Sequence, residues 1–257
     1  MIKTEVEKFY DKSSKNYEKT HAKRFVDEIF EHFIIDFLPK KKGLRILDAG
    51  GGIGRFSFPL TTAHNVVLTD ISSGMLNKAK KLAKKLRIEN MGIFRESVTN
   101  MSNQSDKSFD VVLVMNGILS YCGNHKKALN EICRVLKPGG MIIGTVNNRF
   151  IYCTTHELKE GNVKLFRKTI ATGNRIERGI NFWTHDFDLN ELKKELQKSK
   201  FEIIDILGPT NLLRKWEYPE AVNKNNWKDF VELQINWANK KEYIHNSNDF
   251  LFVARKK

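Results

Sequence analysis

Short apolar runs alternate with segments of helix length between Gly43 and Asn147, and this alternation limits the chain to few folds. Strands that alternate with helices form βαβ units, which build a parallel sheet covered by helices. Two further strand-like runs, 201–207 and 249–255, follow later in the chain. We therefore predict an α/β fold with a doubly wound, mostly parallel sheet of seven strands.

Two segments lie outside this alternation. Residues 1–42 have a helical pattern, with apolar residues every four positions from Phe25 to Phe37, and we expect an N-terminal helical lid. Residues 148–186 mix aromatic residues, glycine and charge without a clear period, and we expect a substrate cap inserted after the fifth strand. The rest of 43–257 would form the main domain.

Composition narrows the function classes. The 257 residues are 40% hydrophobic and include 17 Phe, which excludes a disordered chain. No run approaches the ~18 apolar residues of a membrane span, and the three cysteines lack the paired spacing of a disulfide framework or a zinc site. We therefore expect a cytoplasmic protein without a metal or a membrane partner. The net charge of +14 attracts polyanions but identifies none.

Segment 48–54, Asp-Ala-Gly-Gly-Gly-Ile-Gly, lies between the first strand and a helix. Glycines let the backbone approach a ligand, and the following helix presents unpaired N–H groups. The spacing fits neither G-x-G-x-x-G, whose last position is Arg55 or Ser57, nor a P-loop, because no Lys-Ser/Thr follows. Asp70 ends the second strand, where a carboxylate can accept hydrogen bonds from both ribose hydroxyls. Loop and acid together predict a nucleoside cofactor.

These motifs resemble the class I S-adenosylmethionine (SAM)-dependent methyltransferases. The resemblance rests on four segments: 47–54, 68–76 (Leu-Thr-Asp-Ile-Ser-Ser-Gly-Met-Leu), 109–112 (Phe-Asp-Val-Val) and 134–140 (Arg-Val-Leu-Lys-Pro-Gly-Gly). It implies a Rossmann-like fold whose last strand runs antiparallel, S-adenosyl-L-methionine as the cofactor, and methyl transfer as the activity.

The resemblance also implies cofactor-binding residues. Gly50, Gly52 and Gly54 would let the methionyl part of the cofactor pass over the loop, with Asp48 behind it near the amino group. Asp70 would hold the ribose. Ile71 and Met75 would pack on the adenine. Met115 and Asn116 would line the methionyl and sulfonium side, with Leu119 nearby, and Tyr17 would reach the cofactor's carboxylate from the lid.

One position departs from the family, which often has an acid after the third strand to bind the adenine amino group. Here Ser97 occupies that position, and Glu96 stands one place earlier. Neighbours in an extended segment point to opposite sides, so only one of them can serve. We favour Ser97, whose hydroxyl can accept one hydrogen bond, together with the backbone N–H of Val98.

The catalytic candidates are His185 and Tyr121. A sulfonium methyl is already activated, so alignment of the nucleophile supplies most of the rate, and a base is needed only for a protonated nucleophile. His185 lies in a segment that family members often place beside the substrate, and Tyr121 follows the fourth strand. A surface or capping role for the histidine and a packing role for the tyrosine are the structural alternatives.

Three functions stay open at this stage. We expect methyl transfer to N, O or C of a small molecule by a monomer or homodimer, because the cap is rich in aromatics and no RNA-binding segment is recognisable. RNA methylation is the alternative, motivated by the net charge and by six basic residues between Leu76 and Ile88. A non-catalytic SAM-binding module is the third, motivated by Ser97 and the absence of an evident base.

Overall fold

The computed structural model describes residues 3–17, 25–177, 182–212 and 226–257. The described strands are β1 (Arg45–Ala49), β2 (Asn65–Asp70), β3 (Met91–Arg95), β4 (Phe109–Val114), β5 (Leu136–Asn147), β6 (Asn174–Ile176), β7 (Trp183–His185), β8 (Phe201–Leu207) and β9 (Asp249–Lys256).

Seven of these strands form one sheet in the order β3-β2-β1-β4-β5-β9-β8, and β6 and β7 form a separate hairpin. The strands from β3 to β5 pair in parallel, whereas β9 is antiparallel to both of its neighbours. This arrangement confirms the predicted α/β sheet and its antiparallel last strand. Chain order reverses between β1 and β4, which is the position where open α/β sheets bind ligands.

The described helices are α1 (Glu5–Ser14), α2 (Phe25–Phe37), α3 (Ser57–Leu60), α4 (Ser73–Lys85), α5 (Ile118–Tyr121), α6 (His125–Val135), α7 (Arg149–Cys153), α8 (Val163–Thr172), α9 (Leu189–Lys198) and α10 (Trp227–Ala238). A π-helical turn, Thr154–Leu158, continues α7, and a 3-10 helix, Lys241–Asn246, precedes β9. Among the described residues, no helix has the length and apolar character needed to cross a membrane.

Alternate strand residues pack on opposite faces of the sheet, as the two-residue period of a strand requires. In β4, Val112 and Val114 face the layer formed by α6 and α9, whereas Val111 and Leu113 face the layer formed by α2 and α10. Because both faces are covered, β4 is apolar at nearly every position.

Helix α2 packs against the sheet, and this differs from the expectation of one lid over residues 1–42. Ile29 and Phe30 are fully buried beside the strand residue Ile46. Among the described helices, the lid therefore stays a prediction for α1 alone. Residues 1–2 and 18–24, which the predicted lid also includes, lie outside the described residues.

Helix α1 contacts the start of α4. Asp11 Oδ1 accepts hydrogen bonds from Ser72 Oγ at 2.7 Å and from the Gly74 backbone N–H at 3.0 Å. These bonds satisfy groups at the α4 N-terminus, where the helix dipole also favours a negative charge. A second link joins Arg95 Nη2 to Glu7 Oε1 at 2.5 Å.

The insertion between β5 and α9 contains α7, the π-helical turn, α8 and the β6–β7 hairpin. Two polar links attach it to the domain. Arg149 Nη1 donates to Asp188 Oδ2 at 3.0 Å at the start of α9, and Asn147 Nδ2 at the end of β5 donates to Asp186 Oδ1 at 2.9 Å. The insertion is thereby fixed next to the carboxyl end of β5, as the predicted cap would require.

Candidate active site

A cavity of about 610 Å³ opens at the carboxyl ends of the parallel strands, between the sheet, α1 and the β6–β7 hairpin. Eleven of the thirteen predicted cofactor residues line it: Tyr17, Asp48, Gly50, Gly52, Asp70, Ile71, Met75, Ser97, Val98, Met115 and Asn116. Leu119 does not line it, because its side chain is buried in the core with α6.

The glycine loop forms one wall of this cavity. Gly52 has φ +58°, and a Cβ placed there would approach Asp70 Oδ2 at 4.0 Å and meet nothing closer, so the space beside this residue is open. Gly54 has φ +87°, and its Cβ would lie 2.7 Å from the Phe58 ring. Gly54 therefore serves the packing of the loop on α3 and does not line the cavity.

Asp70 ends β2 and holds the loop in place. Its Oδ2 accepts from the Gly52 N–H at 2.9 Å, and its Oδ1 accepts from the Ser72 N–H at 2.8 Å. A carboxylate has about four lone-pair positions, so each oxygen can still accept from a ligand hydroxyl. Burial, together with the charge of Asp11, raises the pKa of Asp70 to about 6.

Asp48 lies behind the loop at the end of β1 and is almost fully buried. Its Oδ2 accepts a hydrogen bond from Ser57 Oγ at 2.6 Å. Burial and the nearby charge of Asp70 raise the pKa of Asp48 to about 6. Two carboxylates that are costly to ionise therefore line one cavity, and a cationic ligand group would stabilise their charged forms.

The segment after β3 contains both candidates for adenine recognition. Both oxygens of Glu96 are engaged within the protein, by the Asn103 N–H at 2.7 Å and by Gln104 Nε2 at 2.8 Å. Ser97 Oγ accepts from the Thr99 N–H at 3.2 Å and lies 2.9 Å from Thr99 Oγ1. Both residues line the cavity, so the preference for Ser97 stays a prediction.

Asn116, directly after β4, has a polar atom that lacks a partner in the described structure. Its Oδ1 is buried without a hydrogen bond, and its backbone has φ +56°. Non-glycine residues with positive φ are uncommon and occur at functional sites. Because Asn116 lines the cavity, this oxygen is suited to accept a hydrogen bond from a ligand N–H or O–H.

The residues present fit SAM. The open space at Gly52 lets a ligand approach the backbone, Asp70 has free lone pairs for a ribose, and Asp48 with Asp70 supplies negative charge for a cationic sulfonium and amino group. Asn116 Oδ1 offers an unpaired acceptor.

Tyr121 lines the cavity, and its phenol belongs to a buried polar network. Asn147 Nδ2 donates to Tyr121 Oη at 3.3 Å and to Asp186 Oδ1 at 2.9 Å. Burial, reinforced by Glu177 and Asp186, raises the pKa of Tyr121 well above its usual value. The phenol is therefore protonated at neutral pH, which disfavours a general base and suits a hydrogen-bond donor.

His185 does not line the cavity, in contrast to its predicted place beside the substrate. Its Nδ1 lies 2.9 Å from Asn174 Oδ1, its Nε2 lies 2.9 Å from Glu191 Oε1, and its ring stacks on His125 at 4.6 Å between centroids. Both ring nitrogens are engaged, so His185 joins the insertion to α6 and α9.

Three aromatic residues that line the cavity are not among the thirteen predicted cofactor residues or the two catalytic candidates. Tyr10 comes from α1, and Phe182 and Trp183 come from the insertion. Phe182 packs edge-to-face against Tyr121 at 5.8 Å and against Phe9 at 6.3 Å. Aromatic residues were noted in both segments, but their meeting point depends on how each segment packs on the sheet.

Three features define a class I SAM-dependent methyltransferase. They are the strand order, the glycine loop at the place where chain order reverses, and Asp70 at the end of β2. A family model described as a methyltransferase domain matches residues 40–200. An uncharacterized protein of Methanocaldococcus jannaschii is 31% identical over 214 residues, 80% of this chain and 80% of that protein. The chain therefore belongs to the methyltransferase domain family, with SAM as its cofactor.

Other relatives match a smaller part of the chain. A ubiquinone/menaquinone biosynthesis C-methyltransferase of Haemophilus ducreyi is 31% identical over 127 residues, 46% of this chain and 47% of that enzyme. A tRNA 5-carboxymethoxyuridine methyltransferase of Escherichia coli is 29% identical over 101 residues, 38% of each. A SAM-dependent methyltransferase of Thermotoga maritima has the same fold, with a TM-score of 0.62, 19% identity and 98% coverage of both chains. The family is thus established, and the acceptor is left open.

Proposed function

We propose that this methyltransferase acts on N, O or C of a small molecule that binds among Tyr10, Tyr121, Phe182 and Trp183, here called the acceptor chamber. The observation that carries the proposal is the continuity of one cavity from the glycine loop to these aromatic residues. Small-molecule sites are concave and mostly apolar, with a few fixed polar groups, and the chamber has this character.

The charges on the cavity wall support a small acceptor over RNA. Five acids line the cavity, and the two arginines that line it are both in ion pairs, Arg95 with Glu7 and Arg55 with Asp27. Nucleic-acid enzymes place cations along the path of the phosphates. The +14 net charge favours RNA as a second candidate, but the acids at the cavity oppose the entry of a polyanion.

The residues of this chain would align and dehydrate the reaction. When bound, SAM supplies an electrophilic methyl group on a sulfonium. Asp70 and Asp48 fix the cofactor, and the aromatic chamber excludes water around the acceptor. The phenol of Tyr121, oriented by Asn147, would donate a hydrogen bond to an oxygen or nitrogen of the acceptor. No general base is required when the nucleophile is already unprotonated.

A methyl-transfer screen tests the proposal. The wild-type protein is incubated with SAM and panels of small amines, phenols and carbon nucleophiles or with total RNA, and release of S-adenosylhomocysteine is measured. Turnover with small acceptors that falls in Tyr121→Phe, while SAM affinity is unchanged, supports the chamber. Turnover with RNA alone would assign the enzyme to the second candidate, and SAM binding without turnover on any acceptor would favour a non-catalytic module.

Compartment and assembly belong to this proposal as well. The three cysteines, Cys122, Cys133 and Cys153, are free thiols. Free thiols are typical of proteins in the reducing cytoplasm, and we place the enzyme there. The cavity is formed by elements of one chain, so a monomer or a homodimer could be active.

A further inference from the structure

The insertion concentrates the exposed apolar side chains of the molecule. Of thirteen large hydrophobic residues that are exposed in the described part of the chain, six lie between positions 150 and 183, each at least 37% exposed. They are Phe150, Leu158, Val163, Ile170, Ile176 and Trp183. Single exposed apolar residues are ordinary, but a concentration in one segment marks an interaction surface.

Helix α8 presents two different faces. Thr169 is buried and Leu165 and Phe166 are partly buried, so this side packs on the insertion. The rest of the helix surface is exposed, with Val163 and Ile170 along one edge and the cations of α8, which are Lys164, Arg167 and Lys168, following around the helix from them. The helix contains no acidic residue. Exposed apolar side chains beside a row of cations are typical of helices that lie in the headgroup region of an anionic membrane.

This surface adjoins the mouth of the cavity. Lys168 Nζ lies 5.4 Å from the centroid of the Trp183 ring, so the Lys168 edge of α8 adjoins the hairpin. Trp183 is paired with Ile176 across the hairpin, lines the cavity and is 56% exposed. Tryptophan is suited to this position because its ring is apolar and its N–H is polar, which favours the membrane–water boundary.

We propose that the insertion face, defined as Val163, Lys164, Arg167, Lys168, Ile170 and Trp183, docks on an anionic phospholipid surface. The cations contact the headgroups, and the apolar side chains enter the boundary with the acyl chains. Building on the proposed function, the docked enzyme takes an apolar acceptor from the bilayer through the mouth beside Trp183. This proposal differs from the expectation of no membrane partner, because the sequence pattern alone does not show which side chains are exposed on one surface.

Vesicle flotation tests the proposal with the full-length protein. Wild type should float with vesicles of phosphatidylcholine containing about one-third phosphatidylglycerol and not with phosphatidylcholine alone. The variant Val163→Asp/Ile170→Asp should bind the anionic vesicles at least about tenfold more weakly, because its apolar contribution is lost. Lys164→Glu/Arg167→Glu should also lose at least about tenfold, since each cation contributes roughly fivefold.

Matched controls lie on α4 and at the residue directly after it, on a different part of the surface. Lys80→Glu/Lys84→Glu makes the same change in charge, and Leu86→Asp makes a similar apolar-to-acid change at a residue that is 51% exposed. Both should float like wild type. SAM binding, measured by calorimetry in every variant, should be unchanged, so that a failure of docking is distinguishable from a failure of the methyltransferase site.

Three results would overturn the proposal. The first is equal flotation of wild type and Val163→Asp/Ile170→Asp. The second is an equal loss in Lys80→Glu/Lys84→Glu, which would show diffuse attraction by the net charge. The third is binding to RNA or to an acidic protein through the insertion face while vesicles of either composition are ignored.

Discussion

Replacing Asp48 by Asn should stabilise the protein at neutral and alkaline pH while it weakens SAM binding. Burial raises the pKa of Asp48 from its usual 3.8 to about 6. Each pKa unit corresponds to about 1.4 kcal/mol, so the ionised carboxylate costs the folded state about 3 kcal/mol. A carboxyl whose folded pKa is raised stabilises the fold below pH 4 and loses this contribution as pH rises through about 6.

The amide side chain in Asp48→Asn does not titrate, so the variant and the wild type should diverge between pH 4 and pH 7. An amide can keep the bond from Ser57 but adds an N–H group that needs a partner, at a cost of about 1–3 kcal/mol. That cost is independent of pH. The informative quantity is therefore how the stability of the variant relative to wild type changes between pH 4 and pH 8. The unfolding free energy of the variant should gain about 2–3 kcal/mol on that of wild type over this range.

Urea unfolding at a series of pH values measures this quantity, and Asp110→Asn is the control of opposite sign. Although Asp110 is partly buried, hydrogen bonds from the Arg45 N–H and from Lys137 lower its pKa. Its ionised form therefore stabilises the fold above about pH 4, so Asp110→Asn should be less stable than wild type by a constant amount between pH 4 and pH 8, and this deficit should shrink as pH falls below 4. A pH-independent difference between Asp48→Asn and wild type, or one that becomes more destabilising with pH, would refute the reasoning.

Three further predictions concern the lid, the pH dependence of binding and the network around Tyr121. Gly74→Ala should detach α1 and weaken SAM binding, because the new Cβ would lie 2.4 Å from Ser14 Oγ. Faster proteolysis within α1 measures the detachment. Adding Ser14→Gly to Gly74→Ala should partly restore the docking of α1. SAM affinity should decrease as pH falls through about 6, where Asp48 and Asp70 take up protons, and calorimetry at pH 5 and pH 8 checks this. Asp186→Asn should raise the KM of the acceptor more than it changes the Kd of SAM, because Asp186 holds Asn147, which in turn orients Tyr121.

A separate experimental result would contradict each of these three predictions. Faster proteolysis within α1 of Gly74→Ala, together with unchanged SAM affinity, would show that the docked position of α1 does not contribute to cofactor binding. Affinity that is flat between pH 5 and pH 8 would show that the two carboxylates do not contact the cofactor. A Kd for SAM that rises in Asp186→Asn as much as the acceptor KM would remove the specific link to Tyr121.

The sheet and the cofactor end of the site could be predicted because their signals are local. The short continuous apolar run of β4 and the position of Asp70 at the end of β2 need only neighbouring residues to be interpreted. The same holds for Asp48, which directly precedes the glycine loop. Parallel strands then bring these ends to one edge of the sheet.

The acceptor end could not be predicted because it depends on contacts distant in sequence. Phe182 meets Tyr121 only through the path of the insertion, and His185 is drawn to Glu191 and Asn174, away from the cavity. Helix α2 has the period of an amphipathic lid, but its wide apolar stripe packs on the sheet. Periodicity shows that a face is buried and does not show what covers it.

Isothermal titration calorimetry with SAM, comparing wild type with Asp70→Ala, tests whether the glycine loop and Asp70 bind the cofactor. We predict one site per chain in wild type and a loss of affinity of roughly 10- to 100-fold in Asp70→Ala, the effect of removing hydrogen bonds to a charged group. Absence of SAM binding in wild type, or equal affinity in a folded Asp70→Ala variant, would show that Asp70 and the glycine loop do not form a SAM site.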